Sequence, residues 1–264
     1  MSEKLLSIII LNWNRKHYSI QTIENLIKKT TLKHELILVD NNSSEPGLRD
    51  YLLEVKGNEN TTKIQHVFNY KNLGVAGGRN SGLVKASGDY LMTIDDDIIV
   101  PDSYDKLFAE ACDKIPKLGI TGVCVEPDKY SDKIINGVRC RPKNGNLGGA
   151  CLCLPRRVFE KVGFYNYFST YGHEDACMYY RLSYLGLISA YILPKGIHLD
   201  TDKDKAYRKE KNKAHQKGSS QLSALSRYLT NMRNTGNVFV TFDPNFEPCD
   251  QKIFTNDLIL KDRK

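Results

Sequence analysis

The sequence predicts an α/β fold: a mixed, mainly parallel sheet flanked by helices, in a single domain with a C-terminal extension. Three observations predict it. Across residues 1–100, short apolar runs alternate with helix-like stretches in a βαβαβ rhythm. The opening run at 7–12 is continuously apolar, as expected for a strand covered on both faces. The chain of 264 residues is 41% hydrophobic and 26% charged, ordinary globular values that allow one sizeable core.

The elements follow in order. A first strand covers 7–12 and a helix 18–29. A second strand at 35–40 ends in the turn Asn41-Asn42-Ser43-Ser44. A helix over 48–55 precedes a third strand at 63–69, and a helix at 76–87 precedes a fourth at 90–94. The second half is less regular: a strand at 146–154, a short helix at 155–162, a helix at 175–185 stopped by Gly186, and a strand at 187–193 broken by Pro194. Beyond His198 the chain turns polar and lysine-rich, with a last strand at 238–242.

Composition excludes several classes. No apolar run reaches the about 18 residues of a membrane helix. Met1-Ser2-Glu3-Lys4 has no apolar signal region behind a basic start, so a cytoplasmic location is expected. The cysteines number seven, without paired metal-ligand spacing; Cys151 and Cys153 share one strand face and read as packing residues. The net charge of +7 is uneven, with Lys203, Lys205, Arg208, Lys209, Lys211, Lys213 and Lys217 close together. That run is either a solvated face or an attractor for phosphates, a membrane surface or another polyanion.

In such sheets ligands bind beyond the carboxyl ends of the strands, so polar residues just after strands are the candidates. Asn12-Trp13-Asn14 ends strand one, offering amides beside an aromatic surface. Asp40 ends strand two; it either caps the next turn or accepts hydrogen bonds from a nucleobase or ribose. Asn72-Leu73-Gly74-Val75-Ala76-Gly77-Gly78-Arg79-Asn80-Ser81-Gly82 lacks the spacing of a Walker A loop, but its glycines let backbone approach a ligand and its helix start favours anions. Asp95-Asp96-Asp97 follows strand four directly. Three adjacent carboxylates repel one another, so a cation or wide solvation must offset the cost. Asp95 and Asp97 project to one side of an extended segment, which suits a hard divalent ion sharing ligands with substrate phosphates. The alternative is an acidic turn ahead of a helix starting near Asp102. Glu174-Asp175 opens a helix, where a carboxylate is a cap or a general base. His198 follows a strand and can complete a metal site.

Taken in order, these elements resemble the family 2 glycosyltransferases, with the Rossmann-like GT-A fold. The resemblance runs from Ser7 to His198. Ser7-Ile8-Ile9-Ile10-Leu11-Asn12-Trp13-Asn14 is similar to their opening strand, in the form of the branch with many rhamnosyltransferases. Val39-Asp40-Asn41-Asn42-Ser43-Ser44 resembles the base-binding strand end. The stretch from Asn72 to Gly82 matches Asn-Leu-Gly-x-Ala-x-x-x-Asn-x-Gly, and Asp95-Asp96-Asp97 the metal motif. Gly148-Gly149-Ala150, Arg156-Arg157 and Val162-Gly163-Phe164 are similar to the acceptor-side segment.

The resemblance implies an inverting transferase that moves one sugar from a UDP- or dTDP-linked donor to a glycan or lipid-linked acceptor. It implies a nucleotide-sugar site of Asn12, Asn14, Asp40, Asn72, Gly74, Arg79, Asp95 and Asp96. Asp95, Asp97 and His198 would hold a divalent metal, Mn2+ or Mg2+. Asp175, next to Glu174, would take the acceptor proton. It divides the chain into a transferase domain at 1–200, whose halves 1–100 and 101–200 bind donor and acceptor, and a basic extension or lid at 201–264. Cys177 stands where many members keep a second Asp. Without a Gln-x-x-Arg-Trp motif or membrane helices, a processive polysaccharide synthase is disfavoured. Competing readings are a phosphosugar-handling enzyme, a degenerate nucleotide-sugar-binding module, and a transferase acting on nucleic acid or protein.

Overall fold

The computed structural model describes residues 4–126, 130–166, 171–199 and the single positions 209, 212, 213 and 216. Most of the lysine-rich run at 203–217 and the strand expected at 238–242 lie outside them.

The continuous apolar runs form the buried strands their composition calls for. Strands β1 (Leu6–Asn12) and β2 (His34–Asp40) are buried along their whole length. Helix α1 (Lys16–Lys29) connects them, burying Ile23 and Leu26. Helix α2 (Leu48–Glu54), β3 (Thr61–Phe68), α3 (Gly74–Leu83) and β4 (Tyr90–Asp95) complete the first half, followed by the two-residue strand β5 (Ile98–Ile99). The second half contains α4 (Tyr104–Lys114), β6 (Leu118–Val123), β7 (Lys133–Ile135), β8 (Val138–Lys143) and β9 (Cys151–Pro155). It ends with α5 (Arg156–Val162), α6 (Glu174–Tyr184), β10 (Ile188–Ile192) and β11 (Ile197–His198).

Helix α3 starts two residues earlier than the pattern suggests and ends at Leu83 rather than 87. The strand expected at 146–154 is confined to Cys151–Pro155. Strands β6, β7 and β8 are additions to the expected set. Glycines interrupt β6, and β8 alternates basic with buried residues, so neither shows a continuous apolar run. A local signal did exist for the hairpin. Asn136-Gly137 joins β7 to β8 with both residues at positive φ, the backbone that a two-residue hairpin turn demands.

The main sheet runs β3-β2-β1-β4-β9-β6-β10-β8-β7. Strand β1 pairs in parallel with β2 and β4, and β9 runs antiparallel between β4 and β6. The chain steps from β1 outward to β3 and then returns to place β4 on the other side of β1. That reversal makes a topological switch point at the carboxyl ends of β1 and β4, where sheets of this kind form a ligand crevice. Register places Asn12 opposite Asp40 and Leu11 opposite Asp95, so the polar strand ends gather at this edge.

Helices cover both faces. Ile8, Ile10, Leu26, Tyr104 and Phe108 pack on one side; Ile9, Leu11, Leu83, Met178 and Leu182 pack on the other. Helix α3 sits unusually close to the sheet. A Cβ on Gly82 would stand 2.3 Å from Ile9 Cγ2, and one on Gly78 would stand 2.4 Å from Leu11 Cδ1. These two glycines of the Asn72–Gly82 stretch therefore serve helix–sheet packing, which corrects their reading as a ligand cradle.

Candidate active site

The acidic triplet leaves β4 at the crevice, and its three carboxylates take three different partners. Asp95 Oδ1 accepts from Arg79 Nη2 at 2.7 Å. Asp96 points back to the start of α1, where its carboxylate accepts from Trp13 N at 3.2 Å and Arg15 Nη2 at 2.8 Å. Asp97 Oδ2 accepts from Arg15 Nη1 at 2.8 Å and faces His198 Nε2 at 3.2 Å. Asp97 Oδ1 is buried without a hydrogen-bond partner. Two arginines thus offset the repulsion within the triplet, so that repulsion is no independent argument for a metal.

Burial pushes the Asp96 carboxyl up to about 7 even though Arg15 pulls it down. Asp95 is raised as well, by burial against the pull of Arg79. Asp97 goes the other way: burial raises it, but His198 and Arg15 together hold it below the usual carboxylate range. Of the three, only Asp97 is held below the usual carboxylate range.

His198 arrives from far along the chain. Strand β11 pairs antiparallel with β5, placing His198 opposite Ile98, and Leu199 N donates to Asp97 O at 2.8 Å. Asp97 therefore offers an orphaned carboxylate oxygen, with the His198 imidazole against its other oxygen. Among the described residues no three His, Cys, Asp or Glu side chains converge as a ready cation cage. Asp95, the third expected ligand, is turned to Arg79. The remaining pair can give one or two protein ligands to a divalent ion that completes its shell with other oxygen ligands.

Arg79 lies on α3 and is 1% exposed. Its guanidinium donates to Asp95, to Glu174 Oε1 at 3.0 Å and to Gly149 O at 2.8 Å, over the Tyr165 ring. Burial works against its charge, but Asp95 and Glu174 outweigh that and raise its pKa. With its side chain enclosed, Arg79 is a strut between β4 and α6, which corrects its expected contact with a donor.

The Glu174-Asp175 pair is divided by burial. Glu174 is buried against Arg79, and burial with the nearby Asp175 charge pushes it up to about 7. Asp175 is half-buried at the N-terminus of α6, where Oδ2 accepts from Asn146 Nδ2 at 2.9 Å. Cys177, one turn from Glu174, is buried and donates to Asn166 Oδ1 at 3.3 Å.

The strand-end residues build the floor. Asn12 Nδ2 donates to Ile10 O and Val39 O, while its Oδ1 is buried without a partner. Asn14, at positive φ, accepts from Ser44 N and Glu45 N and shapes the turn after β2. Asp40 is fully buried, accepting from Ser43 N at 2.9 Å and from Arg49 Nη2 at 2.8 Å. It caps the turn, as one reading had it, and is already paired. Asn72 Oδ1 accepts from Gly74 N and from Asn41 Nδ2, and Asn41 Oδ1 accepts from Leu73 N and Asn69 Nδ2. Asn41, which sequence reasoning did not single out, is the hub that holds this loop on the strand end.

Comparison with known proteins places this geometry. The profile of glycosyl transferase family 2 matches residues 7–186. An Escherichia coli protein named as the UDP-Glc:alpha-D-GlcNAc-diphosphoundecaprenol beta-1,3-glucosyltransferase WfgD is 32% identical over 99 residues, 38% of this chain and 37% of that protein. GalNAc-T7, solved with UDP, GalNAc and Mn2+, superposes with a TM-score of 0.61 at 17% identity, covering 75% of this chain and 44% of that one. The mannosyltransferase PcManGT of Pyrobaculum calidifontis, solved with GDP-Man and Mn2+, gives 0.60 at 14% identity, covering 88% and 65%. Matches to the first curated relatives span 54% of their length or less. The two structural likenesses establish the GT-A fold.

Proposed function

The chain belongs to glycosyl transferase family 2, and from that premise we propose that it moves a single sugar from a nucleoside-diphosphate donor to an acceptor hydroxyl. The acceptor is a glycan or lipid-linked saccharide, and the donor a UDP- or dTDP-sugar. What carries the reading is Asp97: buried and held as an anion at the switch-point crevice, it has one oxygen without a partner and His198 beside the other. Asp97 and His198 would hold a divalent ion, Mn2+ or Mg2+, with Asp95 beside them. When bound, that ion supplies positive charge to the departing diphosphate.

The chain's own residues do the rest. Asn12, Asn14, Asp40, Asn72 and Gly74 form the strand-end floor on which the nucleotide lies. Asp175, half-open at the positive end of α6, takes the proton of the acceptor hydroxyl. The freed oxygen bonds to the anomeric carbon as the bond to the diphosphate breaks, from opposite faces, so configuration inverts. Glu174 and Arg79 position these parts and touch neither substrate. The basic run at 203–217 supplies a surface for an anionic acceptor, a membrane or the donor's phosphates. No described helix is long and apolar enough to cross a membrane.

Thermal unfolding tests the reading. A UDP- or dTDP-sugar with Mn2+ at about 100 times its Kd stabilises the fold by about 2.7 kcal/mol. Asp97→Ala loses the metal-dependent part of that shift. An undiminished shift in the variant removes Asp97 from the metal site.

A further inference from the structure

We infer that Arg15 is a positioning residue for divalent-metal binding, holding Asp97 so that its unpartnered oxygen faces the ion. The inference rests on the metal reading of Asp97 and His198 given above.

Arg15 is the N-cap residue of α1, and no acidic residue occupies the first turn of that helix. A cation there faces the positive end of the helix dipole and is unfavourable by itself, so its placement needs carboxylate partners. Two lie among the described residues: Nη2 meets Asp96 Oδ1 and Nη1 meets Asp97 Oδ2, each at 2.8 Å. The planar fork spans two successive residues, 81 and 82 positions away along the chain. A point-charge ammonium cannot make both contacts in that way. The result fixes one oxygen of Asp97 and leaves the other, Oδ1, buried and unsatisfied.

Two roles are conceivable for a guanidinium in this place. As a stand-in for the metal it would leave when the ion arrives, and its loss would tighten metal binding. The second contact decides against this. Asp96 is 2% exposed and is also tied to Trp13 N, while Thr22 Oγ1 donates to Asp96 O at 2.9 Å. Arg15 is therefore anchored independently of Asp97 and stays when Oδ1 takes an ion. Partners of this kind, hydrogen-bonded to a ligating carboxylate, set its orientation, and their loss weakens metal binding about 10–100-fold.

The test measures metal directly. Free Mn2+ is followed by electron paramagnetic resonance as MnCl2 is titrated into the full chain with UDP present. Arg15→Gln is expected to weaken Mn2+ by about 10–100-fold, and Arg15→Lys to recover part of the loss, because it restores charge and one N–H but not the fork. A general structural defect would give no such graded rescue. If Arg15→Gln does not fold, Arg15→Lys decides alone: several-fold weakening supports the assignment and unchanged affinity overturns it. Loss of Mn2+ in Asp97→Asn with wild-type affinity, or tighter, in Arg15→Gln overturns the role of Arg15 and leaves the metal site standing. No Mn2+ bound by the wild type, or undiminished binding in Asp97→Asn, overturns both.

Discussion

Arg79 Nη1 donates to Glu174 Oε1 at 3.0 Å across 95 residues of sequence, joining α3 to the first residue of α6. The same guanidinium holds Asp95. The end of β4 and the start of α6 are thus built around one buried cation.

Arg79→Ala leaves Asp95 and Glu174 facing each other without their shared partner. Removing one member of a buried charge network costs about 3–5 kcal/mol. Urea unfolding should show a loss of that order, and a loss below 1 kcal/mol would mean that the strut carries little.

Gly82→Ala tests the seating of α3. The new methyl would lie 2.3 Å from Ile9 Cγ2, within the buried helix–sheet contact. Overpacking of this kind costs about 1–3 kcal/mol. A lowered urea midpoint with an unchanged m-value is the expected result; a neutral substitution would show that α3 can lift without cost.

Glu174 gives a pH dependence with a definite sign. Its carboxyl is raised from 4.5 to about 7 in the fold, so the native state binds the proton more tightly. Its stabilising contribution is complete below pH 4.5 and is lost as pH rises towards about 7, with a limiting slope of about 1.4 kcal/mol per unit. Glu174→Gln removes this term. Unfolding measured from pH 4.5 to 7.5 in EDTA should show wild type losing stability relative to the variant as pH rises; parallel curves contradict it.

Asp175→Asn separates chemistry from architecture. A general base contributes about 10²–10⁴-fold, so kcat should fall in that range while KM for the donor changes little. Because Asp175 is half-exposed and makes no hydrogen bond to Arg79, its variant should melt close to wild type. Retained kcat would assign proton transfer elsewhere.

Much of the first half of the sheet was legible in the sequence. Continuous apolar runs produce strands buried on both faces, and β1, β2 and β4 fall where those runs lie. The position of the acidic triplet after β4, and of Glu174-Asp175 at a helix start, followed from the same periodicity. Strands β6 to β8 escaped because glycines and basic residues break their patterns, although Asn136-Gly137 marked the hairpin between two of them. Arg15 carried a signal too, as a cation at the wrong end of a helix.

The sequence by itself determined the elements and the polar residues at their ends, since local periodicity dictates which backbone can bury its side chains. Only the tertiary structure decided which of those residues meet. Strand order around β1, the pairing of β5 with β11 and the close seat of α3 brought Arg15, Arg79 and His198 to three adjacent carboxylates. Burial then separated Asp97 from Asp96, and Asp175 from Glu174. Such choices depend on charge and solvent access across the folded chain, which neighbouring residues do not encode.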